Sequence, residues 1–486
     1  MKEMSDSKVA IVTLGVMLSL FMSAIEMTVV ATAMPTIVNQ LGGLNRYSWV
    51  FSAYMVASTT TIPIYGKFSD TYGRKTIFLI AMALFLTGSM LSGQSHSMDQ
   101  LICFRTLQGM GAGGLMPLSF IIIGDMFSFE ERARMQGFFS GVWGFASIVG
   151  PLLGGFLVDK LSWRWVFYVN LLPGCLASIL LLAGLREGNE KKAHPRIDYL
   201  GAVLLTSGVV VLLLSLFQLG TFSGLVLLIS SAILFIALVV AERAAADPIL
   251  PLTLFRERLF AVGIAHGILA GWVLFGSTSF VPLFVQLSLE KSATVAGSAL
   301  TPQMLGWVFS SVIGTRLLLH YSYRTIVLVG MVLLTLGALF MSLVTTDTSI
   351  IRVMLNMVLM GVGMGLTVPA FMIAIQNSVD RNKLGTATAT LQFSRVIGGA
   401  LGVSVMGLIL SVRLAANLKA AGVHPEVMSL QDLMKPFSTS AAAADATLRG
   451  ALTGAVESVF VAALAAAVVG LVVTAFTPKG GIRRNG

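Results

Sequence analysis

A few charged side chains lie inside stretches of sequence that are otherwise apolar. Glu26 interrupts the stretch from about Val9 to Met34, and Arg105 and Arg395 lie inside two later stretches. A charged group in hydrocarbon is costly unless it is paired, hydrated or, for a carboxylate, protonated. A carboxylate in a partly hydrated cavity can carry a proton or attract a cation. Glu26 is therefore the first candidate for a functional group.

The composition predicts that these groups lie within a lipid bilayer. Of the 486 residues, 56% are apolar and 11% are charged, whereas soluble proteins carry roughly 25% charged residues. A helix that crosses a membrane needs about 20 apolar residues. Fourteen stretches satisfy this rule: 9–34, 48–66, 76–94, 98–122, 135–158, 164–185, 197–218, 222–241, 259–287, 293–319, 325–345, 349–374, 386–412 and 456–476.

The distribution of basic residues predicts the orientation of these spans. The net charge is +10, but the lysines and arginines occupy short loops rather than one basic surface, which argues against a nucleic-acid partner. An even number of spans places both termini on the same side, and the loops on that side carry most of the basic residues. The positive-inside rule then predicts that both termini are cytoplasmic.

Glycine patterns indicate an internal repeat. The pattern G-x-G-x-G-x-x-x-P occurs at 109–117 in the fourth span and again at 361–369 in the twelfth. We therefore predict an all-α membrane protein made of two related six-helix halves, at 1–190 and 257–486, with two inserted helices at 191–256. The second half includes a long outer loop at 413–455. Parallel six-helix repeats are typical of alternating-access transporters.

The loop between the second and third spans reads GKFSDTYGRK, at 66–75. It resembles the signature loop of the major facilitator superfamily, G-x-L-[AS]-D-[RK]-x-G-R-[RK], although Phe68 and Thr71 depart from that pattern. The matching residues are Gly66, Ser69, Asp70, Gly73, Arg74 and Lys75. The resemblance implies a cytoplasmic gate that clips the two halves together. Asp125, at the inner end of the fourth span, is predicted to clamp this loop rather than to transfer protons. An ordinary charged loop that only sets orientation is the alternative.

Two further spans carry motifs that resemble those of this family and of its antiporters, and the segments at 163–174, 374–378 and 395–399 are similar to its fourteen-helix drug:proton antiporter branch. The fourth span matches R-x-x-Q-G through Arg105 and Gln108, and the fifth span matches the antiporter motif G-x(8)-G-P-x-x-G-G. The antiporter positions are Gly141, Gly150, Pro151, Gly154 and Gly155. Glycines allow close helix approach, and an internal proline permits a bend. The resemblance implies multidrug efflux driven by the proton gradient, with no cofactor.

Glu26 stands where that branch usually has an aspartate, in E-M-T-V-V at 26–30. At 1.5 Å per residue, Glu26 and Arg105 lie about 12 Å and about 10 Å below the outer surface, so the two groups can meet. We hypothesise that Glu26 exchanges a proton for a drug and that Arg105 tunes its proton affinity. A purely structural ion pair, and drug contact without proton coupling, are the alternatives. Arg395 is predicted either to bind freed carbonyls and Gln392 or to face the cavity.

These observations together predict a monomeric, multi-pass exporter of the inner (cytoplasmic) membrane that confers antibiotic resistance. Its expected partners are small hydrophobic or cationic molecules, protons and the lipid bilayer. A proton-coupled exporter of an endogenous metabolite, lipid or siderophore is the main alternative, and a non-transporting membrane sensor is less favoured. No nucleophile–base pair or phosphate loop supports an enzyme. Cys103 and Cys175 have no ligand-like spacing, so we expect no metal site.

Overall fold

The computed structural model describes residues 5–42, 46–185, 198–245, 247–291, 293–420 and 442–479. These residues form sixteen α-helices and no β-strand. The helices are α1 Asp6–Leu41, α2 Tyr47–Tyr72, α3 Arg74–Gly93, α4 Met98–Met126, α5 Phe129–Lys160, α6 Trp165–Tyr168, α7 Leu171–Gly184, α8 Tyr199–Phe217, α9 Phe222–Ala244, α10 Arg258–Leu287, α11 Ala293–Ser298, α12 Thr301–Leu317, α13 Tyr323–Ser342, α14 Ile350–Ser378, α15 Leu384–Ala420 and α16 Ala442–Ala475. The chain is all-helical, as the sequence predicts.

The helices coincide with the predicted spans, but two spans are divided. In the described ranges, 11 helical stretches are long and apolar enough to cross a membrane, one of them made of α6 and α7 together. The sixth span consists of α6 and α7, and the tenth consists of α11 and α12, where Pro302 lies in the first turn of α12. Proline fits a helix start because that position needs no intrahelical N–H bond. A count of fourteen spans is therefore approximate.

The loop predicted at 413–455 is shorter than expected, because helices extend into both of its ends. Helix α15 continues to Ala420 and α16 begins at Ala442, while residues 421–441 lie outside the described part of the chain. Leu414 and Leu418 are buried on α15, and the side chain of Asn417 donates to the carbonyl oxygen of Ala451 at 2.9 Å. Packing between the two helix ends overrides the sequence signal for a loop.

The chain divides into two compact units. The first contains Met1–Leu214, Val226–Phe260 and Met372–Phe393, and the second contains Ser215–Leu225, Ala261–Phe371 and Ser394–Gly486. The C-terminal end of α14 and the N-terminal end of α15 therefore belong to the first unit, together with α1–α7. The division at 190 and 256 that the sequence suggests stays a prediction.

Alternate glycines of α4 bring this helix into contact with two neighbours in the first unit. A Cβ atom built on Gly109 or Gly113 would lie 2.5 Å from the carbonyl oxygen of Tyr54 or 2.2 Å from that of Ser58, both in α2. A Cβ atom on Gly111 would lie 2.3 Å from the backbone nitrogen of Phe85 in α3. Larger residues would push these helices apart, so the glycines place α4 between α2 and α3.

Candidate functional site

Glu26 lies in a closed ring of hydrogen bonds that links four parts of the first unit. Arg105 of α4 forms an ion pair with Glu26 Oε1 and donates from Nη1 to Gln108 Oε1 at 2.7 Å. Gln108 Nε2 donates to Ser89 Oγ of α3 at 3.1 Å. Asn170, between α6 and α7, closes the ring by donating from Nδ2 to Ser89 Oγ at 3.1 Å and to Glu26 Oε2 at 2.5 Å.

All five members of the ring are buried. The relative exposure is 0% for Glu26, 1% for Arg105 and at most 1% for the other three. The guanidinium Cζ of Arg105 lies 4.1 Å from the centre of the Tyr54 ring, an arrangement that favours a cation over an aromatic face. Because a low-dielectric surrounding strengthens each hydrogen bond and penalises each unpaired group, the ring holds its members in a defined geometry.

An apolar cluster surrounds the ring. It includes Ile25 and Val29 on either side of Glu26, and Leu101, Trp163 and Phe167 from α4 and the α5–α7 region. The members of the ring are accordingly at most 1% exposed. The predicted meeting of Glu26 and Arg105 is thus present in the structure, although their functional role stays a prediction.

Asn170 and Ser89 are members of the site that the sequence predictions missed. Asn170 lies inside the segment WRWVFYVNLLPG, at 163–174, which resembles the antiporter branch but gives no residue a role. Ser89 is one of two serines in the apolar helix α3, where such residues commonly bond their own backbone. Gly88 places it, because a Cβ atom there would lie 2.4 Å from the backbone nitrogen of Gln108. An asparagine at a break between helices in an apolar stretch was the available signal.

Two glycines of the antiporter motif hold α5 against the turn of α1 that follows Glu26. A Cβ atom on Gly150 would lie 1.9 Å from Thr28 Oγ1, and one on Gly154 would lie 2.1 Å from Thr32 Oγ1. A Cβ atom on Gly141 or Gly155 would meet no described atom within 4 Å. Close packing therefore explains Gly150 and Gly154 but not the other two glycines. Pro151 lies within α5, and its side chain is outside the described part of the chain.

Asp70 of the signature loop caps the N-terminus of α15. Its carboxylate accepts from the backbone nitrogens of Gly385 at 2.9 Å and Thr386 at 2.7 Å, and from the Thr386 hydroxyl at 2.9 Å. Exposed amide groups and the helix dipole make a helix N-terminus a favourable place for a carboxylate. Gly66 permits the approach, because a Cβ atom there would lie 2.8 Å from the carbonyl oxygen of Gly385.

The basic residues of the same loop complete a second polar cluster. Arg74 bonds Asp70 and Asp125, each at 2.8 Å, and Arg381 donates to Asp125 at 3.2 Å. Gly73 has a φ of 99°, a left-handed conformation that lets α2 end and α3 begin within one residue. Lys75 contacts another part of the first unit, donating to the carbonyl oxygen of Leu182 at 2.8 Å.

Lys67 makes an ion pair that was not among the sequence predictions. The ammonium group of this buried lysine bonds Asp247, in the segment between α9 and α10. The pair connects the signature loop to the chain that follows the inserted helices. Its partner lies 180 residues away in sequence, and no local pattern reveals such a contact.

Arg395 belongs to the second unit, whereas the ring around Glu26 belongs to the first. Its backbone packs closely on α10, since a Cβ atom on Gly271 would lie 2.1 Å from the carbonyl oxygen of Arg395. His266 of α10 is also buried in this unit, with its ring centre 4.6 Å from that of Phe371. The sequence predictions did not include His266, although a histidine within the apolar stretch 259–287 was a visible signal.

Comparisons with known proteins agree with this architecture. The family model for the Major Facilitator Superfamily matches residues 16–403. The chain is 35% identical over 443 residues to Multidrug transporter protein MdtP of Bacillus subtilis (strain 168), covering 90% of this chain and 82% of the relative. It is 38% identical over 404 residues to Multidrug resistance protein 3 of the same organism, covering 82% and 79%.

A solved structure shares the fold. The human organic anion transporter MFSD10 (TETRAN) matches 97% of this chain and 100% of its own, with a TM-score of 0.66 and 16% sequence identity. At that identity the likeness concerns the fold alone. The family model and the two Bacillus relatives together cover most of the chain, and they establish that it belongs to the major facilitator superfamily of membrane transporters.

Proposed function

We propose that this protein exports hydrophobic, cationic drugs across the cytoplasmic membrane in exchange for protons, by alternating access and with both termini in the cytoplasm. The multidrug transporters among its relatives support drug export. The observation that carries proton coupling is the burial of Glu26, whose carboxylate is bonded by Arg105 and Asn170 within an apolar cluster. In such a place a carboxylate needs a cation, a hydrogen-bond donor or a proton.

Coupling follows from competition at this carboxylate. In the state open to the outside, Glu26 takes up a proton and the drug leaves. In the state open to the cytoplasm, Glu26 loses the proton, and its negative charge favours binding of the next cation. Arg105 sets how readily the proton is held, because a neighbouring positive charge stabilises the ionised form.

The cluster at the inner end of the first unit is the proposed cytoplasmic gate. Asp70 holds the start of α15, and Asp125 holds Arg74 and Arg381. These bonds must break when the cytoplasmic side opens. Charge-assisted bonds suit such a latch, because they are specific in geometry and are released when water enters.

The deciding experiment uses inverted membrane vesicles that hold a proton gradient, with a lipophilic cationic dye as the added drug. Collapse of the gradient is compared for the native protein, Glu26→Gln and Glu457→Gln. Glutamine keeps the size of the side chain and removes its charge, and Glu457 of α16 is a half-buried carboxylate outside the ring. We expect collapse with the native protein and Glu457→Gln, and none with Glu26→Gln.

Each other outcome has a definite meaning. If all three proteins respond alike, Glu26 is a structural residue and the proton travels elsewhere. If dye moves in the native protein with no loss of the gradient, export is not proton-coupled. A neutral dye of similar size tests the charge preference, since a carboxylate that competes for a cation gives the cationic dye the larger response. Melting temperatures of the variants separate lost transport from lost folding.

A further inference from the structure

The amide of Asn170 is bonded on one side only. Its nitrogen Nδ2 donates to both Glu26 Oε2 and Ser89 Oγ, whereas Oδ1 is buried and has no hydrogen-bond partner among the described residues. Asn170 itself is 1% exposed. A buried acceptor without a donor carries an energetic penalty, and such atoms in native structures call for an explanation.

Protonation of Glu26 changes what the ring requires of this amide. An ionised carboxylate is an acceptor only, and the amide nitrogen with its two hydrogens suits it. A proton on Oε2 turns that oxygen into a donor, so the O–H and the N–H of Asn170 would then face each other. Rotating the Asn170 amide by half a turn about its Cβ–Cγ bond exchanges the positions of Nδ2 and Oδ1. Oδ1 then accepts a hydrogen bond from the protonated Oε2 of Glu26.

This rotation exchanges one bond of Ser89 and leaves the bonds of Arg105 and Gln108 in place, while Nδ2 moves to the position that Oδ1 now occupies. The Ser89 hydroxyl now donates to the carbonyl oxygen of Phe167 at 2.9 Å, and it would turn to donate to Asn170 Oδ1 instead. The Phe167 carbonyl still accepts from the backbone nitrogen of Asn170 at 3.3 Å. Gln108 keeps its bond to Ser89, and Arg105 keeps Gln108 and the Tyr54 ring.

We propose that Asn170 is a positioning residue whose side-chain amide rotates in response to the protonation of Glu26. In the ionised state the amide nitrogen stabilises the carboxylate, and in the protonated state Oδ1 accepts the new O–H. The rotation transmits the arrival of the proton to the junction of α6 and α7, while the neutral carboxyl group loses its ion pair with Arg105. This inference rests on the proposed role of Glu26 as the proton carrier.

The described surroundings of Glu26 contain few other groups that bear on its protonation. Arg105 of α4 is the charged neighbour, and Tyr54 of α2 lies beneath its guanidinium. Helix α5 faces α1 through Gly150 and Gly154, and α7 faces it through apolar residues around Leu181. Asn170 is therefore the neutral group that bonds directly to the carboxylate.

Infrared difference spectroscopy of the purified native protein during a pH titration tests the proposal without any transport step. Glu26→Gln identifies the carboxylic acid band that belongs to Glu26. Removing an acceptor from a carboxylic acid O–H moves its C=O band to higher wavenumber, so we expect that shift in Asn170→Leu, which keeps the shape and removes both polar atoms. Asn356→Leu is the matched control, since Asn356 is a buried asparagine of α14 outside the ring.

The titration midpoint of the band gives a second readout. A bond to an ionised group is stronger than one to a neutral group, so Asn170→Leu should raise the proton affinity of Glu26 about tenfold and move the midpoint up by about one pH unit. Asn170→Asp keeps the size and places a second carboxylate beside Glu26, which should move the midpoint up further. Asn356→Leu should leave both readouts unchanged.

An unchanged band and midpoint in both Asn170 variants would overturn the proposal. A midpoint that rises in Asn170→Leu without movement of the band would show that the amide stabilises the ionised state but does not rotate, which also overturns it. If the Glu26 band never forms in the native protein at any pH, the proposed proton role of Glu26 fails instead. The vesicle experiment tests export separately, so the two failures are distinguishable.

Discussion

Gly150 offers the sharpest test of how the antiporter motif acts, because the same helix contains a matched glycine in open space. The perturbation is a single methyl group, introduced as Gly150→Ala, with Gly155→Ala as its control. The new Cβ atom at Gly150 would lie 1.9 Å from Thr28 Oγ1 and 2.9 Å from Thr28 Cβ, whereas at Gly155 it would meet no described atom within 4 Å. Both substitutions add the same group to α5.

The expected magnitude follows from comparing the two variants. Alanine favours a helix over glycine by about 1 kcal/mol, and this gain applies equally to both. Overpacking a close contact is destabilising by about 1–3 kcal/mol, and this term applies to Gly150 alone. The clash requires either rotation of Thr28, which breaks its bond to the Ile25 carbonyl, or movement of α5 away from α1. We expect Gly150→Ala to be less stable than Gly155→Ala by about 1–3 kcal/mol.

Two assays report the result: the melting temperature of the purified variants, and drug export from vesicles. Gly150→Ala should melt below Gly155→Ala and export more slowly, because the displaced turn of α1 carries Glu26. The double variant Thr28→Ala with Gly150→Ala should recover part of both losses, since it removes the nearer clashing atom. Equal melting temperatures and equal export for the two glycine variants would refute the packing argument.

Three further predictions concern the signature loop at 66–75 and its partners in the first unit. Asp70→Asn should speed hydrogen exchange at the start of α15 about tenfold or more, because the Asp70 carboxylate accepts two backbone N–H bonds there. The control Asp99→Asn breaks an exposed ion pair and should leave that exchange unchanged. Gly73→Ala should lower the free energy of unfolding by about 1–2 kcal/mol because its φ is 99°. Lys67→Met and Asp247→Asn should show a coupling energy of about 0.5–3 kcal/mol in a double-mutant cycle, and strictly additive effects would show that their ion pair is inconsequential.

The sequence predicted the parts of this molecule that depend on local pattern. A long apolar stretch in a bilayer forms a helix, because a helix bonds its backbone polar groups within the same segment. The meeting of Glu26 and Arg105 was also predictable, since depth along two helices follows from the rise per residue. The two divided spans and the helical ends of the 413–455 stretch were not, because apolar content alone does not mark where a helix breaks or extends.

The few contacts that were missed from the sequence join residues that are far apart in the chain. Ser89 and Asn170 are 81 residues apart, and their meeting depends on Gly88 and on the break between α6 and α7. The pairing of Lys67 with Asp247 depends on where the segment after the inserted helices lies. One sequence contains no periodic signal for such pairs, because each is fixed by the packing of several helices together.

The motifs that the sequence presents as separate features act on one short part of α1. The glycines of α5 hold the turn after Glu26 through Thr28 and Thr32, while the glycines of α4 place Arg105 and Gln108 beside it. The α6–α7 break then supplies Asn170 from a further side. In the proposed function Glu26 gains and loses a proton, and its donors must be fixed so that the change in its charge, rather than loose packing, decides which bonds break. The small residues of these motifs provide that fixation, because they let α4 and α5 pack closely against α1, α2 and α3.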